Sequence, residues 1–175
     1  MNSVPVLSSA RLRLRPRTVE DAEALFPTLS DPVAMTYWSH APYETLDQAR
    51  ARFAEPFETW RAWAITPAGA DGAIGFVAVG AKKPGVSEIG YLLDRAHGGS
   101  GLAREAVATI LDHLFRTEGL RRVFADTDPD NLRSNALLAA LGFTLEGRLR
   151  AEWETHIGVR DTFLWGLLAT EWKTR

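Results

Sequence analysis

The chain has 175 residues, 46% of them hydrophobic, and its 20 Lys and Arg nearly cancel its 22 Asp and Glu to a formal net charge of -2. That length suits one globular domain over residues 1–175, and the dispersed charge excludes both a disordered acidic chain and a basic face for nucleic acid. With no cysteine, and with His40, His97, His113 and His156 too far apart for a metal-ligand spacing, disulfides, a Cys nucleophile and a bound metal are all unexpected.

The opening MNSVPVLSSA lacks a basic region followed by a long apolar run, and no later stretch approaches the ~18 apolar residues of a membrane span. A cytoplasmic protein with no membrane partner is therefore expected. RLRLR then alternates Leu12 and Leu14 with arginines, as a half-buried strand does, and Arg11, Arg13, Arg15 and Arg17 should form its solvated face. Thr18 and Asp21 are spaced as a helix N-cap pair ahead of Ala22, Leu25, Phe26 and Leu29, and Asp31-Pro32 stops that helix. A second helix is expected from Thr45. RAWAIT, AIGFVAVG and VSEIGYLL are short apolar runs separated by Gly and Pro, which predicts three sequential antiparallel strands.

HGGSG leads into a helix with an apolar stripe from Ala103 to Leu114, ending at Glu118-Gly119. RRVFADT is a strand, and the helix after DPDN carries Ala136, Leu137, Ala140 and Leu141 and closes on Gly142. GFTLEGRLR and VRDTFLWGLLA complete the chain as strands paired around residues 152–158. The order implies an α/β (α+β) domain, with a mixed, mostly antiparallel sheet of about six to seven strands flanked by about four helices.

Chemistry concentrates in Glu88 to Glu105, EIGYLLDRAHGGSGLARE, where a strand passes through a glycine-rich turn into a helix. Gly98, Gly99 and Gly101 let backbone N–H groups approach a ligand, and the helix start adds unpaired donors and a positive dipole end, an arrangement that suits a pyrophosphate. A flexible connection would need the same glycines. The segment is neither a Walker loop, because Leu102 follows Gly101, nor a dinucleotide fingerprint, which requires G-x-G-x-x-G in a parallel unit.

The segment does resemble the R/Q-x-x-G-x-G/A coenzyme A signature of the GCN5-related N-acetyltransferases, with Gly101 and Ala103 in its last two positions and GGSGLAREA similar to the RimJ and RimL branch. Gly98 departs from the larger residue usual there. DPDNLRSNALLAALGF resembles the branch's N-x-x-S-x-x-x-x-x-x-x-G-F segment through Asn131, Ser134, Asn135, Gly142 and Phe143. RDTFLWGLLATEW resembles its closing strand, and with RLRLRPRTVEDAEAL the similarity spans essentially the whole chain.

The resemblance implies the GNAT fold and transfer of an acetyl group from acetyl-coenzyme A to a primary amine, on a protein N-terminus or a small molecule. It implies that main-chain groups of Tyr91, Leu92 and Leu93 hold the donor, and that Gly98, Gly99, Ser100, Gly101, Leu102, Ala103 and Arg104 form the phosphate turn. Asn131 and Asn135 would bind the pantetheine arm, and Ser134 would lie near the sulfur. Asn131 is also a good N-cap and Ser134 an ordinary first-turn residue. The Tyr that many relatives carry on this helix corresponds to Leu138. Glu88, an acid within an apolar strand, is the candidate base if burial raises its pKa, and otherwise a solvent-facing strand residue. Tyr37, Trp38, His40, Trp60 and Trp153 fall in segments that line the acceptor cleft in relatives, where Glu152 and Glu154 could attract a cation; core packing is the alternative for each aromatic. A larger acyl donor and a non-catalytic coenzyme A-binding module share this pattern, and a monomer or a homodimer fits it equally.

Overall fold

The computed structural model describes residues 4–56 and 58–173. The strands β1 (Leu7–Ser8), β2 (Leu12–Pro16), β3 (Trp60–Pro67), β4 (Gly75–Lys83), β5 (Val86–Leu93), β6 (Arg122–Thr127), β7 (Thr144–Thr155) and β8 (Gly158–Leu168) form one sheet. Its order is β1-β2-β3-β4-β5-β6-β8-β7, eight strands against the six to seven expected. The additional strand is β1, two residues with too little pattern to read from sequence, held by pairing Leu7 with Leu14. All neighbours are antiparallel except β5 and β6.

Helices α1 (Asp21–Leu29) and α2 (Leu46–Ala54) cover one face, and α3 (Leu102–Asp112) and α4 (Leu132–Leu141) cover the other. Strand alternation separates two cores. Ile65, Val77, Ile89, Val123 and Leu167 point toward α3 and α4, while Ala64, Phe76 and Leu92 point toward α1 and α2. The three sequential strands, the helix ending on Gly142 at φ 94° and the start of the second helix at Thr45 all stand where the sequence put them. The Thr45 cap is a full capping box, with Gln48 returning the bond.

Three expectations are corrected. Thr18 does not cap α1; Asp21 accepts the Thr18 N–H at 2.8 Å and Arg15 at 2.6 Å, so the acid stabilises the helix start. The arginine face of β2 is not simply solvated: Arg11 binds Glu105, Arg13 binds Asp71, Arg15 binds the buried Asp21, and Arg17 lies on aromatic rings. Finally, β7 runs on to Thr155, so residues 152–155 are strand and only 156–157 turn. An irregularity between Leu149 and Trp153, with Ala151 at φ 52°, absorbs the register change.

Candidate functional site

Strands β5 and β6 pair at Val86–Arg122, Ser87–Val123 and Glu88–Phe124, and there the ladder stops. Beyond Glu88 the two strands part. Asp94 N–H bonds back to Ile74 of the β4 side at 2.8 Å, so by alternation the N–H groups of Tyr91 and Leu93 face the opening, with no β6 residue in register opposite them. The Tyr91 and Leu93 side chains pack under α3, and Leu92 is buried on the α1–α2 side, which leaves main chain to edge the gap. The Tyr91 hydroxyl donates to the Ser134 carbonyl at 3.4 Å, and burial pushes its pKa up to about 12, so it is neutral.

At the end of β5 the turn carries Gly99 at φ 76° and Gly101 at φ 79°, left-handed conformations that favour glycine, and Gly101 occupies the N-cap of α3. Gly98 has an ordinary φ of -67°, but a Cβ there would come within 3.1 Å of the Arg95 carbonyl oxygen. The larger residue usual in relatives would press on that carbonyl. Ser100 is tied inward, its hydroxyl donating to the His97 carbonyl at 2.7 Å and its own carbonyl accepting from Arg11 at 2.9 Å. Leu102 packs against the core and Arg104 donates to the Ala140 carbonyl at 3.2 Å, linking α3 to α4. Ala103 lies in the first turn of α3.

A cleft of about 990 Å³ opens beside the gap and reaches from β2 to β8. Glu88, Asn131, Ser134, Tyr37, Trp38, His40, Trp60 and Trp153 all line it. Glu88 is ion-paired with Lys82 at 2.7 Å; burial, with the nearby Asp126, raises its pKa above the ordinary glutamate value although Lys82 opposes this. Asn131 caps α4, accepting the Ser134 N–H at 3.3 Å. Asn135 stands apart from the cleft lining. Its carbonyl oxygen accepts from Thr127 at 2.5 Å and Trp165 at 3.1 Å, and its amide donates to the Asp128 and Pro129 carbonyls, so the side chain is occupied in joining α4 to β6 and β8.

Trp38 packs on Phe76, and His40 stacks on Tyr43 at 4.8 Å between ring centres. Tyr37 and Trp153 are the more exposed walls, at 40% and 44%. Trp153 donates to Asp126 at 2.8 Å, which ties the far part of β7 to β6.

Sequence reasoning missed Asp126, Lys82 and the Arg11–Glu105 clasp. Glu105 accepts from Ser9, from the Arg11 main chain and from its guanidinium, which ties the N-terminal strands to the first turn of α3. The period of two in VFAD does place Phe124 and Asp126 on one face, but the parallel register that brings that face to Glu88 has no local signature. Among the described residues there is no helix long and apolar enough to cross a membrane and no His, Asp and Glu cluster that could hold a metal.

The Acetyltransferase (GNAT) domain profile matches residues 11–144. The chain is 32% identical to an uncharacterized N-acetyltransferase, p20, of Bacillus licheniformis over 95% of this chain and 97% of that protein. It is 35% identical to the uncharacterized N-acetyltransferase YoaA of Bacillus subtilis, over 83% of this chain and 86% of that one. A shorter stretch, 37% of this chain and 36% of the relative, is 38% identical to the ribosomal-protein-serine acetyltransferase of Escherichia coli. Among solved structures, a probable GNAT acetyltransferase from Chromobacterium violaceum superposes with TM-score 0.88 at 25% identity, covering 97% of this chain and 90% of that one. Spermidine N-acetyltransferase from Vibrio cholerae, solved with coenzyme A and spermine, gives 0.81 at 22% identity over 93% and 98%, a likeness of fold. With a parted strand pair, a glycine-capped helix and a family match over most of its length, the chain belongs to the GNAT acetyltransferases.

Proposed function

We propose that this acetyltransferase moves an acetyl group from acetyl-coenzyme A directly to a primary amine within a ternary complex. The observation that carries the reading is the end of β5–β6 pairing at Glu88, which sets unpaired main-chain donors beside an acid of raised pKa, on the strand that leads through the glycine turn into α3. The donor residues fit coenzyme A. The left-handed Gly99 and Gly101 leave the N-terminus of α3 open to a pyrophosphate, and the N–H groups of Tyr91 and Leu93 suit the thioester carbonyl and pantetheine amides.

Glu88 takes a proton from the incoming ammonium, directly or through water, so that the amine lone pair can attack the thioester carbon. Main-chain N–H groups of β5 stabilise the oxyanion that forms. As the C–S bond breaks, Ser134 supplies a hydrogen bond to the departing thiolate. Leu138 is fully buried and cannot act as the tyrosine of relatives does. Asn131 keeps its capping bond, and its position on the cleft wall suits the pantetheine arm as well.

Thiol release from acetyl-coenzyme A, measured against a panel of amines and N-terminal peptides beside a thermal shift with coenzyme A, tests this. Stabilisation with release supports transfer. The absence of a tyrosine at Leu138 is what would favour a non-catalytic coenzyme A-binding module, and stabilisation without release on any acceptor or acyl donor would establish that instead.

A further inference from the structure

Among the described residues, the cations that line the cleft are matched by acids with one exception. Lys82 pairs with Glu88 at 2.7 Å, Arg61 with Glu118 at 2.5 Å, Arg160 with Asp128 at 2.7 Å, and Arg52 with Glu55. Arg17 has aromatic rings instead. Its guanidinium lies 4.0 Å from the centre of Phe53 and 5.2 Å from that of Phe76, with no ion pair to a described residue. Burial, with the neighbouring Arg52, holds its pKa below the usual value against the weaker pull of Asp21, which is itself paired with Arg15, and a guanidinium stays charged at any ordinary pH.

Register places this charge relative to the chemistry. Arg17 N–H bonds to Ala62 at 3.0 Å, Ala62 stands opposite Ala78, and Ala78 stands opposite Gly90. Residues in one such row share a face of the sheet, so Arg17 and Glu88 rise from the same face, separated by a floor of Ala62, Ala78 and Gly90. Three strand spacings make roughly 14 Å between the Arg17 and Gly90 main chains, and the arginine side chain reaches back over part of that. Small residues leave this span open, whereas Phe or Leu in the same row would fill it. The cleft therefore has an acidic end at Glu88 and Asp126 and an unmatched cationic end at Arg17.

We propose that Arg17 binds a carboxylate of the substrate and that the acceptor is a small aminocarboxylate, its amine directed to Glu88 and its carboxylate to the guanidinium. The assignment rests on the transfer reading above. Phe53 and Phe76 hold the guanidinium plane, and a carboxylate would supply the bidentate partner that no described side chain provides. A dicarboxylic acyl group would present the same chemistry, but Arg17 stands three strands from β5, on the α1–α2 side, away from the gap that suits the donor arm.

The test compares amino acids with their own amides as acceptors of the acetyl group, in the unaltered protein, Arg17→Gln and Arg17→Lys. The expected result is a kcat/KM preference for the acid of roughly tenfold to a hundredfold, residing in KM, which falls toward one in Arg17→Gln and is partly restored in Arg17→Lys. Equal use of acids and amides, or a preference that survives Arg17→Gln, would overturn the proposal. An Arg17-dependent preference for succinyl- over acetyl-coenzyme A with uncharged amines would overturn the acceptor assignment and put the carboxylate on the acyl group. A thermal shift with an N-acetyl amino acid separates this proposal from the reading beneath it. Protection of the unaltered protein but not of Arg17→Gln, with coenzyme A protecting both, supports a carboxylate site even if no amine releases thiol. Equal protection of both by the N-acetyl amino acid removes it.

Discussion

Glu88 stands opposite Phe124 on the last paired rung between β5 and β6, so the candidate base sits where the sheet begins to open. Earlier on the strand its carboxyl would stand beside a closed ladder. Its raised pKa follows first from burial, which disfavours the charged form, with Asp126 adding to the effect and Lys82 resisting it.

Because the base must be ionised, kcat/KM should rise with pH through the raised Glu88 pKa, above the ordinary carboxylate range. Glu88→Gln should lower kcat/KM by about 10²- to 10⁴-fold and abolish that limb. Lys82→Met removes the opposing charge and should move the limb to higher pH; a pH–rate profile of each variant checks the sign.

Ser134→Ala should reduce kcat more than KM if its hydroxyl assists the thiolate. Tyr91→Phe removes the neighbouring hydroxyl, which donates to the Ser134 carbonyl at 3.4 Å, and serves as the comparison. A larger kcat loss for Tyr91→Phe would transfer the thiolate-stabilising hydrogen bond to the phenol.

Asn135→Ala strips four hydrogen bonds that join α4 to β6 and β8. Leaving buried partners unsatisfied should cost about 2 kcal/mol, read by denaturant unfolding, while the coenzyme A affinity of the folded protein changes little. A large loss of affinity at unchanged stability would restore the pantetheine contact that the family resemblance implies.

Asp21→Ala removes the carboxylate partner of Arg15 and the acceptor of the Thr18 N–H, in a pair whose side chains are 18% and 4% exposed, and leaves Arg15 only main-chain carbonyls. Destabilisation of about 3 kcal/mol is expected, against near-neutral behaviour for Asp71→Ala, whose side chain is 87% exposed. Equilibrium unfolding of both variants separates the two cases.

Gly101→Ala forces a side chain into φ 79° at the N-cap of α3 and should cost about 1–2 kcal/mol while weakening coenzyme A binding. Gly90→Ala would place its Cβ with no neighbouring atom within 4 Å and at no positive φ, so it should fold normally. Thermal shifts with and without coenzyme A distinguish strain from lost binding.

Local information was enough for the longer elements, though not for β1 or the full extent of β7, and the reason is physical. The period of two in RLRLR, the apolar stripe of α3, the Thr45 box and the Gly142 cap each depend on residues within a few positions, so they are written in the sequence directly. The glycine turn and the Asn131 cap were legible for the same reason. Contacts between distant segments were not. Asp126 reaches Glu88 only through the parallel β5–β6 register, Glu105 meets Ser9 and Arg11 from 96 and 94 residues away, and the small-residue floor below Arg17 draws one residue from each of β3, β4 and β5. The amino-acid sequence by itself determined the longer elements, the Asn131 and Gly142 caps and the family; only the tertiary structure decided which charges meet, because pairing across a sheet is fixed by the packing of whole faces, and that sets which acid is desolvated and which arginine has no ion pair to a described residue.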